Sequence, residues 1–308
     1  MRIAVVGGGV IGLTCATMIA EAGHDVTVQA REFGVNTTSG VAAAIWHPYH
    51  ALPFERVTAW AAGTYPVLRD LAEREPASGI VMREGAELLR EPGPDPWWAA
   101  AVPDLRRAEF LLPGYKDSYG LRTAITEMPI YLPWLAARAE RAGAQLVRAE
   151  VMQWPTGFDA IVNATGLLGA ALTGDDTGFP IRGQVVWVEQ IGLTNWWVDS
   201  AGPTYLVPRS KDIVVGGTDV IGDWNTEARP ETAAEILARA AQMVPDIAHA
   251  KVLAHRVGLR PGRPSVRLER EDRSGATSIV HCYGHGGAGM TLSWGCAKEV
   301  LDLVEEMR

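Results

Sequence analysis

The chain carries a glycine-rich turn near each end, and each turn lies between an apolar run and a helix-like segment. The first turn contains Gly7, Gly9 and Gly12, and the second covers residues 281–291, HCYGHGGAGMT. Glycines at such positions let a strand turn tightly into a helix and let a ligand approach the backbone. Two such turns predict that both chain ends converge on one bound molecule.

The first turn matches the GxGxxG fingerprint in its proper context. It follows the β-branched run Ile3–Val6 and precedes a helix predicted over Ile11–Ala22. In this pattern the helix N-terminus, here Val10 and Ile11, directs N–H groups and the helix dipole at a pyrophosphate. The sequence therefore predicts a dinucleotide site at Gly7, Gly9 and Gly12.

A second strand, predicted over Val26–Ala30, ends where the fingerprint calls for an acidic residue to hold the ribose. Arg31 and Glu32 occupy that position. Glu32 is the expected ribose ligand. Arg31 either reaches a phosphate, stacks near the adenine, or is simply solvated at the strand end.

Length, charge and cysteine content limit the classes of protein. The 308 residues suggest about two domains, and the net charge of −8 disfavours nucleic acid as a partner. Three cysteines without metal-ligand spacing predict a reduced, cytoplasmic protein with no metal site. The sequence contains no uninterrupted apolar stretch of about 18 residues, so no membrane-spanning helix is predicted.

Periodicity predicts an α/β fold in which two domains interleave. Further helices are predicted at 54–75, 130–142, 231–243 and near the C-terminus, and further strands at 145–148, 159–163, 183–188, 205–208, 213–217 and 278–283. We expect a Rossmann-type nucleotide-binding domain from residues 1–50, 137–182 and 255–308. Residues 51–136 and 183–254 are expected to form an α+β substrate domain on a mostly antiparallel sheet.

The second turn favours a flavin over a nicotinamide, because a flavin ring needs backbone contacts from remote segments. Gly284, Gly286, Gly287 and Gly289 offer unobstructed N–H groups, and a helix begins near Thr291. The alternative is a compact turn without a ligand.

Arg260 is the candidate carboxylate ligand, since Gly258 and Pro261 fix the chain direction around it. Tyr205 can donate its hydroxyl to the same carboxylate, although an isolated tyrosine usually packs in a core. The competing cations Arg263, Arg267 and Arg270 are predicted to lie on a solvated face. His47 and His285 are interpreted as spacers rather than bases, because hydride loss from a neutral amine carbon needs no protein base.

Taken together, these motifs resemble the D-amino-acid oxidase family. The resemblance rests on VVGGGVIGL, VAAAIWHPY (41–49), VNATG (162–166), RGQ (182–184), TYLVPR (204–209), GLRPGRP (258–264) and YGHGGAGMT (283–291). It implies an enzyme that binds FAD non-covalently and passes a hydride from the α-carbon of a D-amino acid to flavin N5. We also expect a homodimer. Oxygen then yields hydrogen peroxide, and the imino acid hydrolyses to a 2-oxo acid and ammonia.

The resemblance also implies site residues. Arg260 and Tyr205 match the family's carboxylate-binding pair, and Gly287 matches a glycine whose carbonyl faces the substrate amine. Gly286, Gly287, Ala288, Gly289, Met290 and Thr291 match the flavin loop; Thr37, Thr38 and Ser39 the pyrophosphate loop; Ala43, Ala44, Ile45, Trp46 and Gly166 the surroundings of the cofactor. His47 is assigned to the substrate pocket.

The sequence differs from the family pattern at two places that affect the expected substrates. The segment from Val188 to Tyr205 is shorter than the lid of mammalian members, which predicts a more open entrance. Asp219 stands where some microbial members have an aromatic residue, and it either repels acidic substrates, favours basic ones, or faces solvent. The alternatives are therefore an oxidase of neutral or basic D-amino acids, a D-aspartate or glycine oxidase, and a flavin-binding protein without turnover.

Overall fold

The structure is a computed structural model that describes residues 1–49 and 51–308. Its helices are α1 Val10–Glu21, α2 Thr38–Val41, α3 Phe54–Arg74, α4 Met128–Arg141, α5 Gly169–Thr173, α6 Pro230–Met243 and α7 Gly289–Glu305. Its strands are β1 Arg2–Val6, β2 Asp25–Ala30, β3 Ile80–Leu89, β4 Arg106–Arg107, β5 Asp117–Thr126, β6 Gln145–Arg148, β7 Ala160–Asn163, β8 Phe179–Glu189, β9 Trp196–Asp199, β10 Tyr205–Pro208, β11 Asp212–Gly216, β12 Val220–Ile221, β13 Val252–Gly262, β14 Arg267–Glu271 and β15 Ile279–Tyr283.

The first sheet has six strands in the order β14-β15-β7-β1-β2-β6. All neighbours pair in parallel except β14, which is antiparallel to β15. The carboxyl ends of β1, β7 and β15 therefore meet at one edge, where ligands bind in open α/β sheets. Both glycine turns leave the sheet at this edge.

The second sheet has nine strands in the order β12-β8-β11-β10-β9-β3-β5-β4, with β13 also paired to β8. Only the β3–β9 pair is parallel among its recorded pairs. The prediction of a mostly antiparallel second sheet is confirmed. Its strands come from the stretches of chain between the segments of the first sheet, so the two sheets interleave along the sequence.

One continuous apolar core joins the two layers. It includes Val5 of β1, Leu13 of α1, Trp60 of α3 and Val207 of β10, each at most 4% exposed. A second cluster, centred on Ile236, packs α6 against the outer face of the large sheet. Across residues 1–49 and 51–308, no helix is both long enough and apolar enough to cross a bilayer.

Periodicity located most elements, with α1, α3, α4 and α6 beginning and ending within two residues of the prediction. Strands β3, β4, β5, β9, β12 and β14 were not predicted. Strand β13 was misjudged, because Arg260 lies inside an eleven-residue strand and not at a turn after one. Strands β8 and β13 run across the predicted domain boundaries at 182/183 and 254/255, and the exact division into domains stays a prediction.

Candidate functional site

The first glycine turn is packed so closely that side chains are excluded. A Cβ on Gly12 would overlap the carbonyl of Gly7, and a Cβ on Gly7 would overlap the carbonyl of Ala164 in the turn after β7. Gly7 also has a φ of +129°, which favours glycine. The turns after β1 and β7 thus form one compact floor.

Ser39 joins this floor from the neighbouring loop. Its Oγ accepts a hydrogen bond from the Val10 N–H at 3.0 Å, and a Cβ on Gly9 would lie 3.1 Å from the same oxygen. The N-terminus of α1 therefore meets a hydroxyl group across a cradle that a side chain would fill. These residues fit a dinucleotide pyrophosphate, which takes hydrogen bonds from N–H and O–H groups and is stabilised by a helix N-terminus.

The ribose edge of the predicted site lies at the end of β2. Glu32 is partly buried, with Asn36 Nδ2 at 3.4 Å and Arg148 Nη2 at 3.6 Å from its Oε2, whereas Arg31 is exposed. Thr37 donates its hydroxyl to the Gly34 carbonyl at 2.7 Å, which shapes the loop before Ser39. A carboxylate held at this strand end can accept hydrogen bonds from ribose hydroxyls.

The segment Ala43–Trp46 is tied to strand β5. Thr126 N–H donates to the Ala44 carbonyl and Trp46 N–H donates to the Ala124 carbonyl, each at 2.8 Å. The Trp46 side chain is 1% exposed and donates to the Ala61 carbonyl at 3.2 Å, so it is a core residue. The Trp46 side chain is therefore not available to border a ligand, whereas Ile45 of the same segment is partly exposed.

Thr291 ties the same segment to the second glycine turn. Its hydroxyl donates to the His47 carbonyl at 3.0 Å and accepts from the His47 N–H at 3.1 Å. The Gly286 N–H donates to the Pro261 carbonyl at 2.8 Å, which joins the turn to β13. Ala288 and Met290 are buried, whereas Gly287 is exposed at the surface of the site.

Gly287 borders the side chains that a substrate would meet. A Cβ there would lie 2.9 Å from the Tyr49 ring and 3.4 Å from Arg260 Cδ. Gly287 is therefore the point at which the second turn and the candidate substrate site touch.

Arg260 and Tyr205 are accommodated by glycines on neighbouring strands. The Arg260 guanidinium lies over Gly183 of β8, and the Tyr205 ring lies over its register partner Gly216 of β11, so a Cβ on either glycine would overlap the side chain above it. Arg260 Nη1 donates to the Thr218 carbonyl at 3.0 Å. This contact fixes the orientation of the guanidinium.

Tyr205 and Arg260 are both partly buried, and the charge of Arg260 acts on the Tyr205 hydroxyl. Burial raises the pKa of Tyr205, while the positive charge of Arg260 opposes that shift without cancelling it. The hydroxyl therefore stays protonated at neutral pH and can donate a hydrogen bond. A guanidinium and a hydroxyl presented together suit a carboxylate.

Asp219 also lies beside Arg260 and Tyr49. Its Oδ2 accepts a hydrogen bond from the Tyr49 hydroxyl at 2.8 Å, and its Oδ1 lies 3.9 Å from Arg260 Nη1. Burial raises the pKa of Tyr49, and the hydrogen bond to Asp219 raises it further. The Asp219 side chain is 24% exposed, and its assignment to the substrate pocket stays a prediction.

The RGQ motif holds the loop that carries Asp219. Arg182, 1% exposed, donates from Nε to the Asn225 carbonyl at 2.8 Å. Gln184 exchanges two hydrogen bonds with the Arg229 backbone, at 2.8 and 2.9 Å, and its own N–H donates to the Thr218 hydroxyl. This motif therefore positions residues 218–229.

The side chain of His47 contacts Glu87 and Trp98, and that of His285 lies beside Cys282. His47 Nε2 lies 3.0 Å from Glu87 Oε2 and its ring packs edge-on against Trp98. His285 is 2% exposed, and burial lowers its pKa to about 4, so its imidazole is neutral at physiological pH. The assignment of His47 to the substrate pocket stays a prediction.

Three buried residues form a cluster that sequence spacing did not indicate. Cys282, His285 and Cys296 bring potential ligand atoms within 4.8 Å of one another. Burial raises the pKa of the Cys296 thiol, which disfavours the thiolate that metal binding requires. All three cysteines of the chain are buried and unpaired.

The competing arginines, which were predicted to lie on a solvated face, are partly buried and engaged in ion pairs. Arg263 pairs with Asp175 at 2.9 Å, and Arg267 pairs with Glu269 at 2.7 Å; the two arginine side chains are 19% and 17% exposed. Arg270 pairs with Asp272 at 2.6 Å. These contacts occupy the three guanidinium groups outside the candidate site.

Tyr49 is the residue that sequence reasoning did not assign. It lies in the WHPY part of a quoted motif, but its partner Asp219 is 170 residues away. The predicted residues Arg260, Tyr205, Gly287 and Asp219 do come together, and Tyr49 completes the group.

Comparison with known proteins is consistent with this geometry. The family model for FAD dependent oxidoreductases matches residues 2–303. The chain is 48% identical over 311 residues to a D-amino-acid oxidase of Rubrobacter xylanophilus, covering 98% of this chain and 95% of the relative. It is 42% identical over 310 residues to a D-amino-acid oxidase of Streptomyces coelicolor, with 98% and 96% coverage. A crystal structure of glycine oxidase from Geobacillus kaustophilus has the same fold, with a TM-score of 0.82 at 23% identity and coverage of 99% and 95%.

The chain belongs to the D-amino-acid oxidase family of FAD-dependent oxidoreductases. It is therefore an oxidoreductase that uses FAD, and the predicted α/β architecture with an interleaved second layer is confirmed.

Proposed function

We propose that this enzyme oxidises neutral and basic D-amino acids to 2-oxo acids, with release of ammonia and hydrogen peroxide. The observation that carries the proposal is the Arg260–Tyr205 pair beside Gly287. A guanidinium held by the Thr218 carbonyl and a protonated tyrosine hydroxyl form a binding site for an α-carboxylate. The relatives named D-amino-acid oxidase support the choice of substrate class.

The protein contributes to the reaction mainly by positioning the substrate. Arg260 and Tyr205 hold the carboxylate, so that the α-carbon and amine are directed toward the exposed backbone of Gly287. FAD, when bound, supplies the acceptor for the two electrons that the substrate loses. His285, neutral and buried, takes no part in proton transfer in this scheme.

The residues proposed to hold FAD surround the two glycine turns. The cradle of Gly7, Gly9, Val10 and Ser39 suits the pyrophosphate, and Glu32 suits the ribose. Gly286–Thr291 and the backbone of Ala43–Trp46, tied together through Thr291, border the ring. We propose non-covalent binding: acid precipitation of the purified protein should leave the yellow colour in the supernatant.

Three further properties belong to the same proposal. Three buried cysteines without a disulfide support a cytoplasmic location. The protein is a homodimer, and its two domains divide at the residues predicted from the sequence. Sedimentation velocity tests the dimer.

Arg260→Ala tests the proposed function. The variant should retain bound flavin, because Arg260 lies outside the pyrophosphate cradle, and should lose on the order of 10³-fold in kcat/KM for D-alanine or D-methionine. Arg270→Ala, which removes a guanidinium paired with Asp272, is the matched control. Near-normal efficiency of Arg260→Ala would refute the assignment.

An oxidase and a flavin-binding protein without turnover would behave differently under anaerobic conditions. Adding D-alanine, D-methionine or D-lysine should bleach the flavin absorbance, which a binding protein without turnover would not show. A substrate panel followed by peroxide release separates this activity from a D-aspartate or glycine oxidase.

A further inference from the structure

A single arginine of helix α6 bridges two strands of the large sheet. Arg239 donates from Nε to the Thr204 hydroxyl at 3.1 Å and from Nη2 to the Gly217 carbonyl at 2.8 Å. Thr204 precedes strand β10, and Gly217 follows strand β11. Because the register of the two strands ends at the pair Tyr205 and Gly216, Thr204 and Gly217 are the first residues beyond it. Arg239 therefore holds this end of the strand pair together at the point where backbone pairing stops.

Both groups of the proposed carboxylate site depend on this end of the strand pair. The Tyr205 ring lies over the backbone of Gly216, and a Cβ on Gly217 would lie 3.3 Å from the Tyr205 hydroxyl oxygen. The next residue, Thr218, accepts the hydrogen bond from Arg260 Nη1 at 3.0 Å through its carbonyl. A displacement of Gly217 would therefore change the surroundings of the tyrosine hydroxyl and the anchor of the guanidinium together.

Arg239 acts from the face of the sheet opposite to the Tyr205 ring. Side chains along a strand alternate between its two faces. Leu206 of β10 packs in the cluster under α6, whereas Tyr205 packs against the main core. Thr204, two residues before Leu206, contacts Arg239 on the α6 face. The guanidinium of Arg239 therefore reaches the proposed site through the two strands and not through the face that carries the Tyr205 ring.

The bridge suits an arginine better than any other cation. A guanidinium presents its N–H donors in a planar fork, so one side chain can bond acceptors on two different segments. A lysine ammonium keeps the positive charge but lacks this fixed fork. Thr204 is 4% exposed, so loss of Arg239 would remove a hydrogen bond from a buried hydroxyl.

Resting on the proposed function, we infer that Arg239 is a positioning residue for the carboxylate site. It fixes the ends of β10 and β11 relative to each other, so that the Tyr205 hydroxyl and the Arg260 guanidinium present their donors to the same carboxylate. Its loss should weaken binding of the substrate carboxylate. FAD should be held as before, because the proposed pyrophosphate cradle belongs to the other sheet.

Steady-state kinetics with D-methionine test the inference on three variants. Arg239→Ala should raise KM about tenfold and lower kcat less than threefold, because the bridge acts on how the carboxylate is bound. Arg239→Lys should give an intermediate KM. Thr204→Val, which has a similar shape but removes one of the two acceptors, should raise KM about threefold.

Arg256→Ala is the matched control on the strand that carries Arg260. Arg256 is exposed, and its Nη1 donates to the neighbouring His255 carbonyl at 3.4 Å. Its removal takes away a guanidinium from the same sheet without touching the bridge. The control should therefore keep the wild-type KM for D-methionine.

Two further measurements distinguish positioning from general support of the fold. Butanoate carries a carboxylate but no amine, and its titration into the holoenzyme is followed through the flavin absorbance. Its dissociation constant should rise in Arg239→Ala by about the same factor as KM. Enzyme reduced with dithionite and mixed with oxygen should be reoxidised at the wild-type rate, because no carboxylate takes part in that reaction. Flavin content should also be unchanged.

The outcomes separate this inference from the proposed function. If the wild type oxidises no D-amino acid, the proposed function fails, and the butanoate dissociation constants alone decide the role of Arg239. If D-methionine is oxidised while KM and the butanoate constant are unchanged in Arg239→Ala and Thr204→Val, the inference fails and the proposed function stands. A lower flavin content or reoxidation rate alongside the higher KM also overturns it, because Arg239 would then support the whole fold. Should Arg239→Ala not fold, Thr204→Val decides by the same criteria.

Discussion

The two glycine turns look alike in sequence but serve different contacts in the structure. In the first, the space beside Gly7 and Gly12 is filled by backbone, namely the carbonyls of Ala164 and Gly7. In the second, Gly287 faces the side chains of Tyr49 and Arg260. The first turn is required for chain packing and borders the proposed cofactor cradle, whereas the second lies beside the proposed substrate site.

The largest expected effect is that of Gly12→Ala. Its Cβ would overlap a backbone carbonyl, which cannot move as a side chain can, so strand β1 and helix α1 must separate. We expect a loss of roughly 3 kcal/mol in the free energy of unfolding and failure to retain FAD. Urea unfolding and flavin absorbance after gel filtration measure the two effects.

Gly202→Ala is the control, because the space around Gly202 is open within 4 Å of the added Cβ. If Gly12→Ala retained both stability and flavin, the contrast between the turns would be lost.

The second expected effect concerns a titratable group that the second turn buries. Burial lowers the pKa of His285 to about 4 from an ordinary value of 6.5. Between these values the unfolded chain binds a proton that the folded chain does not, so the free energy of unfolding falls as the pH drops from 6.5 toward 4. At pH 5 the imidazole should account for about 2 kcal/mol of that loss.

His285→Asn removes this term, so its unfolding free energy should change less than that of the wild type between pH 7.5 and pH 5. Urea titrations at both pH values, with excess FAD, give the difference. His249→Asn, at an exposed position, should behave as the wild type does. An equal pH dependence in His285→Asn and the wild type would show that His285 titrates normally.

The sequence predicted what depends on local pattern. The βαβ start, the long helices and the two turns follow from spacing within a few residues. Strand β3 was missed because Gly85 looks like a turn residue, whereas its missing side chain makes room for Trp196 on β9. That requirement comes from a strand over 100 residues away, which no local period contains.

In the candidate site, too, some features follow from local sequence and others depend on contacts between distant residues. Arg260 and Tyr205 could be proposed from the sequence because each lies in a specific motif. The hydrogen bond between Tyr49 and Asp219 joins residues 170 positions apart, so only the folded chain brings them together. The role of Arg182 was also hidden, since its donors go to backbone carbonyls of the Asp219 loop. Motifs identify chemistry, but the charge pattern of the site depends on tertiary packing.

Gly287→Ala gives the smallest expected effect and the sharpest contrast with Gly12→Ala. The added Cβ would lie 2.9 Å from the Tyr49 ring and 3.4 Å from Arg260 Cδ, so its close contacts are with side chains and not with backbone. We therefore expect wild-type stability and full flavin content, with KM for D-methionine raised about tenfold, because the crowding falls on the space of the substrate. Steady-state kinetics and urea unfolding, with Gly202→Ala again as control, measure both properties. Loss of flavin or of stability in Gly287→Ala would place the second turn in the same structural role as the first.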